Sequence, residues 1–106
     1  HDPTAPQEFL DLEDLALVPR GEAFRWLSRG DTKLGGQLPV NVSGGLTSRG
    51  HPVGATGVAQ IVEIANQLLG RAGPSQIDDA LVGLAQMSGG LLGRDSAVAT
   101  VHILIR

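Results

Sequence analysis

In this sequence of 106 residues, His1, His51 and His102 carry the groups that titrate near neutrality without perturbation, so proton transfer falls first on them. Their settings differ. His51 stands inside Asn-Val-Ser-Gly-Gly-Leu-Thr-Ser-Arg-Gly-His-Pro-Val-Gly-Ala-Thr-Gly, residues 41–57, with glycines on both sides and an apolar helical pattern beginning just after it. Glycine lets a ligand approach the backbone closely, and free amides at a helix start favour developing negative charge. His51 therefore has two readings: a proton carrier presented from a loop, or a loop histidine bonded to a neighbouring carbonyl. His102 lies in a β-branched run and reads as a satisfied core or interface residue. Cysteine is absent, which leaves no disulfide, no thiolate metal site and no cysteine nucleophile in this sequence. Ser43, Thr47 and Ser48 have no basic partner at motif spacing, so a serine nucleophile has no support. No His, Asp or Glu cluster has metal-ligand spacing, and metal binding is not expected. Asp2 reads as a solvated or capping carboxylate, and Gly89-Gly90 as a turn between strands.

The elements that must position these groups follow from periodicity. Thr4-Ala5-Pro6-Gln7 reads as a helix start, with Thr4 capping, Pro6 needing no donor and Gln7 reaching back, and the helix runs over residues 6–17 until Pro19 ends it. Phe9, Leu12 and Ala16 fall at helical spacing, while Glu8, Asp11, Glu13 and Asp14 favour the positive end of the dipole. A second helix over residues 22–28 carries Phe24, Trp26 and Leu27 and stops at Gly30, which suits the left-handed position after a helix. The alternation Leu38-Pro39-Val40-Asn41-Val42 predicts a short strand with Pro39 at its start or edge, followed by a long loop. Val58, Ile61, Val62, Ala65, Leu68 and Leu69 then follow helical spacing, and Ile64 widens the apolar face until the helix is apolar on nearly every side. Such a helix is normally buried in a layer between other elements, more than a chain this short supplies alone. Ser75 caps a further short helix through Asp78, Asp79 and Leu81, and residues 82–86 either finish it or form a strand. Residues 97–105 are the clearest strand, apolar on both faces and so expected to be covered on both.

Composition narrows the function classes. Hydrophobic residues make up 42%, charged residues 18%, and mean hydropathy is +0.08, which fits a folded globular chain of one domain or less. Aromatics are only 3% and glycines number 15, so packing rests on Leu, Val, Ile and Ala with close backbone approaches, an α/β style of composition. The net charge of −3 with scattered basic residues argues against nucleic acid as a partner. No apolar run reaches membrane-span length and the start lacks a basic signal flank, so no membrane span is expected and the default compartment is cytoplasmic.

Residues 41–57 resemble the histidine loop of the thiolase family, and the Ser-Gly-Gly form is most similar to its sterol-carrier-protein, or lipid-transfer, type. The resemblance extends through Gly83-Leu84-Ala85-Gln86-Met87-Ser88-Gly89-Gly90, similar to the glycine-rich turn near the thiolase C-terminus, and through the last strand. The opening His1-Asp2-Pro3-Thr4 resembles the family's His-Asp-Cys-Phe segment. The whole chain is thus covered, as the last part of the family's C-terminal half, with the nucleophile-bearing N-terminal half absent.

The resemblance implies part of a layered αβαβα fold with a buried helix against a mixed sheet, usually in a homo- or hetero-oligomer. It implies an acyl-CoA acyltransferase of the acetyl-CoA acetyltransferase or 3-ketoacyl-CoA thiolase type, inactive as this chain alone, with a coenzyme A thioester as substrate and no covalently bound cofactor. The expected partners are acyl-CoA and the thiolase N-terminal half, in the same chain or a separate one. His51 matches the histidine that activates the cysteine thiol and points a donor at a thioester oxygen. His1 matches the polar residue completing the first oxyanion site, and the backbone amide of Gly89 matches the second; such donors are worth about 3 kcal/mol each. The second cysteine, the family's acid and base, is found neither at Pro3 nor at Met87. The rival readings are a thiolase-like retro-aldolase acting on CoA-thioester side chains and a noncatalytic lipid- or acyl-binding or assembly subunit.

Overall fold

The computed structural model describes residues 1–106, which divide into two compact units: Asp2–His51, and Pro52–Arg106 together with His1. In Asp2–His51, helix α1 (Ala5–Asp14) starts with Pro6 in its first turn, where a missing N–H costs nothing. The expected capping box does not form. Thr4 accepts from the Gln7 amide through its backbone carbonyl at 3.0 Å, and Gln7 Nε2 donates forward to Asp11 Oδ1 at 2.8 Å instead of reaching back.

Helix α1 also ends short of residue 17. Ala16 turns left-handed at φ 55°, and the amides of Leu17 and Val18 both fold back onto the Leu12 carbonyl, at 3.0 and 3.2 Å. That turn drives Val18 into the core beside Leu12, and burying the two side chains outweighs another turn of helix. Helix α2 (Ala23–Arg29) runs to Gly30, left-handed at φ 80° as its sequence requires. Its N-terminal residue Glu22 makes no side-chain cap; Glu13 Oε1 of α1 accepts from the Ala23 amide at 3.2 Å and does that work from across the turn. Leu12, Val18 and Ala23 form the core, with Phe9, Leu17, Trp26, Leu27, Leu38 and Val40 packed around them.

The strand expected at residues 38–42 is absent. The Leu38 amide donates to Asp31 O and the Val40 amide to Thr32 O, both at 2.9 Å, while Pro39 between them has no N–H to extend a ladder. The alternation is real, but it places Leu38 and Val40 against the helical core rather than in a sheet. Within the segment read as a loop, residues Gly45–Arg49 close a single helical turn and a half, α3.

In the other unit, helix α4 (Thr56–Leu68) packs on strand β1 (Val82–Gly89), which pairs antiparallel with β2 (Val98–Ile105) in a register running from Val82↔Ile105 to Gly89↔Val98. Residues 82–86 are therefore strand, continuing to Gly89. Gly83 lets α4 come close: a Cβ there would collide with Ile64 Cγ2. The helix expected after Ser75 is replaced by a 3₁₀ turn, Gly73–Ser75. Gln67 explains why. Its Nε2 donates to Ser75 O at 2.7 Å and its Oε1 accepts from the Ile77 amide at 2.8 Å, which uses the groups a helix would have needed.

Neither α4 nor β2 reaches the burial its pattern predicts within this chain. Val58 is 66% exposed and Val62 53%, and along β2 Val98 is 60%, Val101 50% and Ile103 63% exposed. The sheet here is an antiparallel pair, so the α/β class holds while the chain itself contains no mixed sheet. No helix is long and apolar enough to cross a membrane.

Candidate functional site

His51 is exposed and ends the first unit. The chain reaches it through Gly50, whose φ of 80° and ψ of 177° end α3 in a backbone conformation that a side chain would strain, while the Gly50 amide still closes the turn on Leu46 O at 2.7 Å. At the other end of α3, Gly44 has φ 107°, and a Cβ there would sit 2.6 Å from Ser48 Cβ. Glycines thus allow a turn tight enough to lift residue 51 to the surface. Beyond it, the Pro52 carbonyl accepts from the Ala55 and Thr56 amides at 2.7 and 3.1 Å and leads into α4.

His1 and Gly89 belong to the second unit. The backbone nitrogen of His1 lies 2.9 Å from Gln86 O and 2.7 Å from Gln86 Oε1, so the residue sits beside β1. Gln60 Nε2 of α4 donates to the same carbonyl at 2.8 Å, and Gln86 Nε2 reaches Ser88 Oγ at 2.8 Å, so the last turn of β1 before Gly89 is tied to the helix beneath it. Gly89 ends β1 exposed, and Gly90 follows at φ 66° into the connection 90–97. The turn reading of Gly89-Gly90 and its placement at the strand end agree. His1 and Gly89 therefore share one strand as their support, and His51 stands on the separate unit. His102, across from Ala85 on β2, is exposed rather than enclosed in a core.

Sequence reasoning missed the acids around the root of the His51 loop. Asp2 is not a solvated carboxylate: it is 8% exposed, and its Oδ2 accepts from Asn41 Nδ2 at 2.6 Å. Burial raises its pKa above the usual carboxylate value, and the negative charge of Asp11 adds to the rise. Glu8 is raised as well, by burial first and by the charge of Asp2 second. Glu13 moves the other way, held below the ordinary value by the Gly21 and Ala23 amides that it accepts from. Asp2 and Asn41 lie 39 positions apart, and no local pattern joins them. The one cue available was Asn41 itself, since asparagine tolerates the left-handed backbone that it adopts here at φ 48°. A cleft of about 420 Å³ opens at the same root, lined by Leu27, Leu34, Val40 and Val42 with Glu8 and Lys33 among them. No group of three or more His, Asp or Glu side chains is gathered as a metal ion would require.

The sequence matches the family described as thiolase C-terminal domain-like over residues 1–105. It is 44% identical over 106 residues to an acetyl-CoA acetyltransferase of Methanothermobacter thermautotrophicus, covering 100% of this chain and 27% of that protein. It is 45% identical over 84 residues to non-specific lipid-transfer protein-like 2 of Caenorhabditis elegans, covering 79% of this chain and 20% of that protein. It is 45% identical over 102 residues to sterol carrier protein 2 of Rattus norvegicus, covering 96% of this chain and 18% of that protein. The chain thus spans roughly a quarter or less of the length of the curated relatives it matches. With the glycine-bounded histidine, the glycine-ended strand and a match reaching from residue 1 to residue 105, the chain belongs to the thiolase C-terminal domain-like family.

Proposed function

We propose that this chain is the C-terminal portion of a thiolase-like acyl-CoA acyltransferase in which His51 works on a cysteine supplied by another chain segment. The observation that carries the reading is the exposed position of His51 at the end of the Gly44–Gly50 turn, in a chain matched to the family along its length. On a 3-ketoacyl thioester the imidazole takes the thiol proton, the thiolate attacks the 3-keto carbonyl, the α–β carbon bond breaks to leave an acyl-enzyme, and the departing acetyl coenzyme A enolate takes the proton back from the imidazolium. His51 and His1 then face the thioester oxygen, and the Gly89 amide serves as the second oxyanion donor. The bare faces of α4 and β2 are covered by the remainder of a layered αβαβα fold whose larger sheet is mixed, in a homo- or hetero-oligomer, and the chain alone turns over no substrate.

One sequence observation favours a second reaction on the same scaffold. Neither Pro3 nor Met87 can shuttle a proton, so the acid and base that thiolysis needs at those places is missing. A retro-aldol cleavage of a β-hydroxyacyl thioester dispenses with the acyl-enzyme: a base removes the hydroxyl proton, the α–β carbon bond breaks, and the enolate oxygen rests on the same donors. A noncatalytic acyl-binding or assembly subunit remains the reading in which neither reaction occurs. The experiment is to recover the protein with its companion segment and follow acetoacetyl coenzyme A cleavage, with His51→Ala as control. The proposal expects cleavage in the wild type and a loss of about a hundredfold or more in the variant; equal activities would refute the role given to His51.

A further inference from the structure

We propose that Asp2 and Asn41 form a positioning pair that fixes the root of the His51 loop; this deepens the reading above and rests on it. Asn41 is one of the few non-glycine residues with positive φ, and a side chain holds that backbone only where its surroundings determine it. What determines it is the buried carboxylate. Asn41 Nδ2 donates to Asp2 Oδ2 at 2.6 Å, and the Asn41 carbonyl accepts from the Gly44 amide at 2.7 Å.

The contact continues into α3. A Cβ on Gly45 would come within 3.0 Å of Asn41 Cβ and Cγ, so the first residue of α3 rests on the Asn41 side chain. From Gly45 the helix is a single short run to Gly50, with no independent anchor long enough to set its direction. The direction in which the backbone enters His51 is therefore inherited from Asn41, and that of Asn41 from Asp2. The other oxygen of Asp2, Oδ1, is buried with no hydrogen-bond partner. A carboxylate buried at a desolvation cost and aimed at the Asn41 amide serves to hold direction, since an exposed acid would cost less to keep. Asp2 and Asn41 touch no reacting atom in this account; they act through His51.

The test uses the full-length protein, or the complex of this chain with the segment that supplies the thiol. Asp2→Ala and Asn41→Ala are expected to lower kcat for thioester cleavage by about tenfold to a hundredfold with KM changed by less than about twofold, because a misplaced imidazole costs rate rather than binding. Asp2→Asn keeps an oxygen facing Asn41 Nδ2 and is expected to restore kcat to within about threefold of wild type. Asn41→Asp opposes two carboxylates and is expected to be as poor as Asn41→Ala, whereas the double variant D2N/N41D reverses the direction of the same bond and recovers. Independently of activity, the His51 ring resonances in nitrogen-15 spectra should shift in both alanine variants and return in D2N and D2N/N41D. The pairing is overturned if the alanine variants keep wild-type kcat and ring resonances, if D2N is as damaged as Asp2→Ala, or if D2N/N41D is no better than Asn41→Asp. Full activity in His51→Ala would instead sink the functional reading, and the ring resonances would still decide the pair. Should Asp2→Ala fail to fold, Asn41→Asp and its D2N rescue carry the same decision.

Discussion

Gly83→Ala is the perturbation with the plainest structural cause. Residue 83 faces α4, and the added methyl would collide with Ile64 Cγ2 and come within 3.5 Å of Ile64 Cβ and Cγ1 as well, with its own position fixed by the backbone. The neighbour is a stiff β-branched side chain on a helix, so α4 and β1 must separate locally. Overpacking of that kind costs about 1–3 kcal/mol. For a domain near this size each kcal/mol corresponds to roughly 4–8 °C in melting temperature, so a loss on the order of 5–20 °C is expected. Ile64→Ala removes the colliding methyl, and the double variant G83A/I64A should lose less than the sum of the two single losses. Equilibrium denaturation of the four proteins measures this directly. A Gly83→Ala protein as stable as wild type, or strictly additive losses in the double variant, would refute the close approach of α4 and β1. Because β1 ends at Gly89, the same displacement should weaken any oxyanion donation from that residue.

Leu12 is 3% exposed at the centre of the α1–α2 core, and Leu12→Ala is expected to cost about 2–5 kcal/mol by chemical denaturation; a loss near zero would misplace that core. Gly57→Ala should be tolerated, since its Cβ would lie 3.8 Å from Met87 Cγ, while Gly57→Leu should lower the melting temperature by pushing into Met87. Acid titration separates two opposed contributions: Glu13, with its folded pKa lowered, adds stability that is present above the ordinary value and lost as pH falls through the lowered one, whereas Asp2 and Glu8, with folded pKa values raised, add stability that is present at acid pH and lost as pH rises through the raised values. Melting temperatures from about pH 3 to about pH 7 should therefore show a smaller acid-side loss in Glu13→Gln and a smaller loss on raising pH in Asp2→Asn; unchanged profiles would contradict these assignments.

Helices with both a periodic face and a fixed stop were legible in the sequence, as α2 with its left-handed Gly30 shows. Misreadings arose where tertiary burial or a distant side chain claimed the same backbone groups. Val18 was drawn into the core and shortened α1, Leu38 and Val40 alternated to meet helices rather than a strand, and Gln67 took the amide and carbonyl that a helix after Ser75 would have used. The glycine-bounded bend around His51 could be read directly, because glycine at Gly44 and Gly50 answers a local backbone demand. The Asp2–Asn41 bond could not, because it joins residues whose proximity only the fold creates. The apolar runs of α4 and β2 carried a different message, since they anticipate more cover than these 106 residues provide.

The most direct measurement is an experimental structure of this chain together with the segment that supplies the nucleophile, from which the separation of the His51 ring nitrogen and a cysteine sulfur can be read. The account predicts a separation of about 3–4 Å, short enough for the imidazole to take the thiol proton. A ring turned away from every thiol, or capped by its own unit with no thiol in reach, would contradict it.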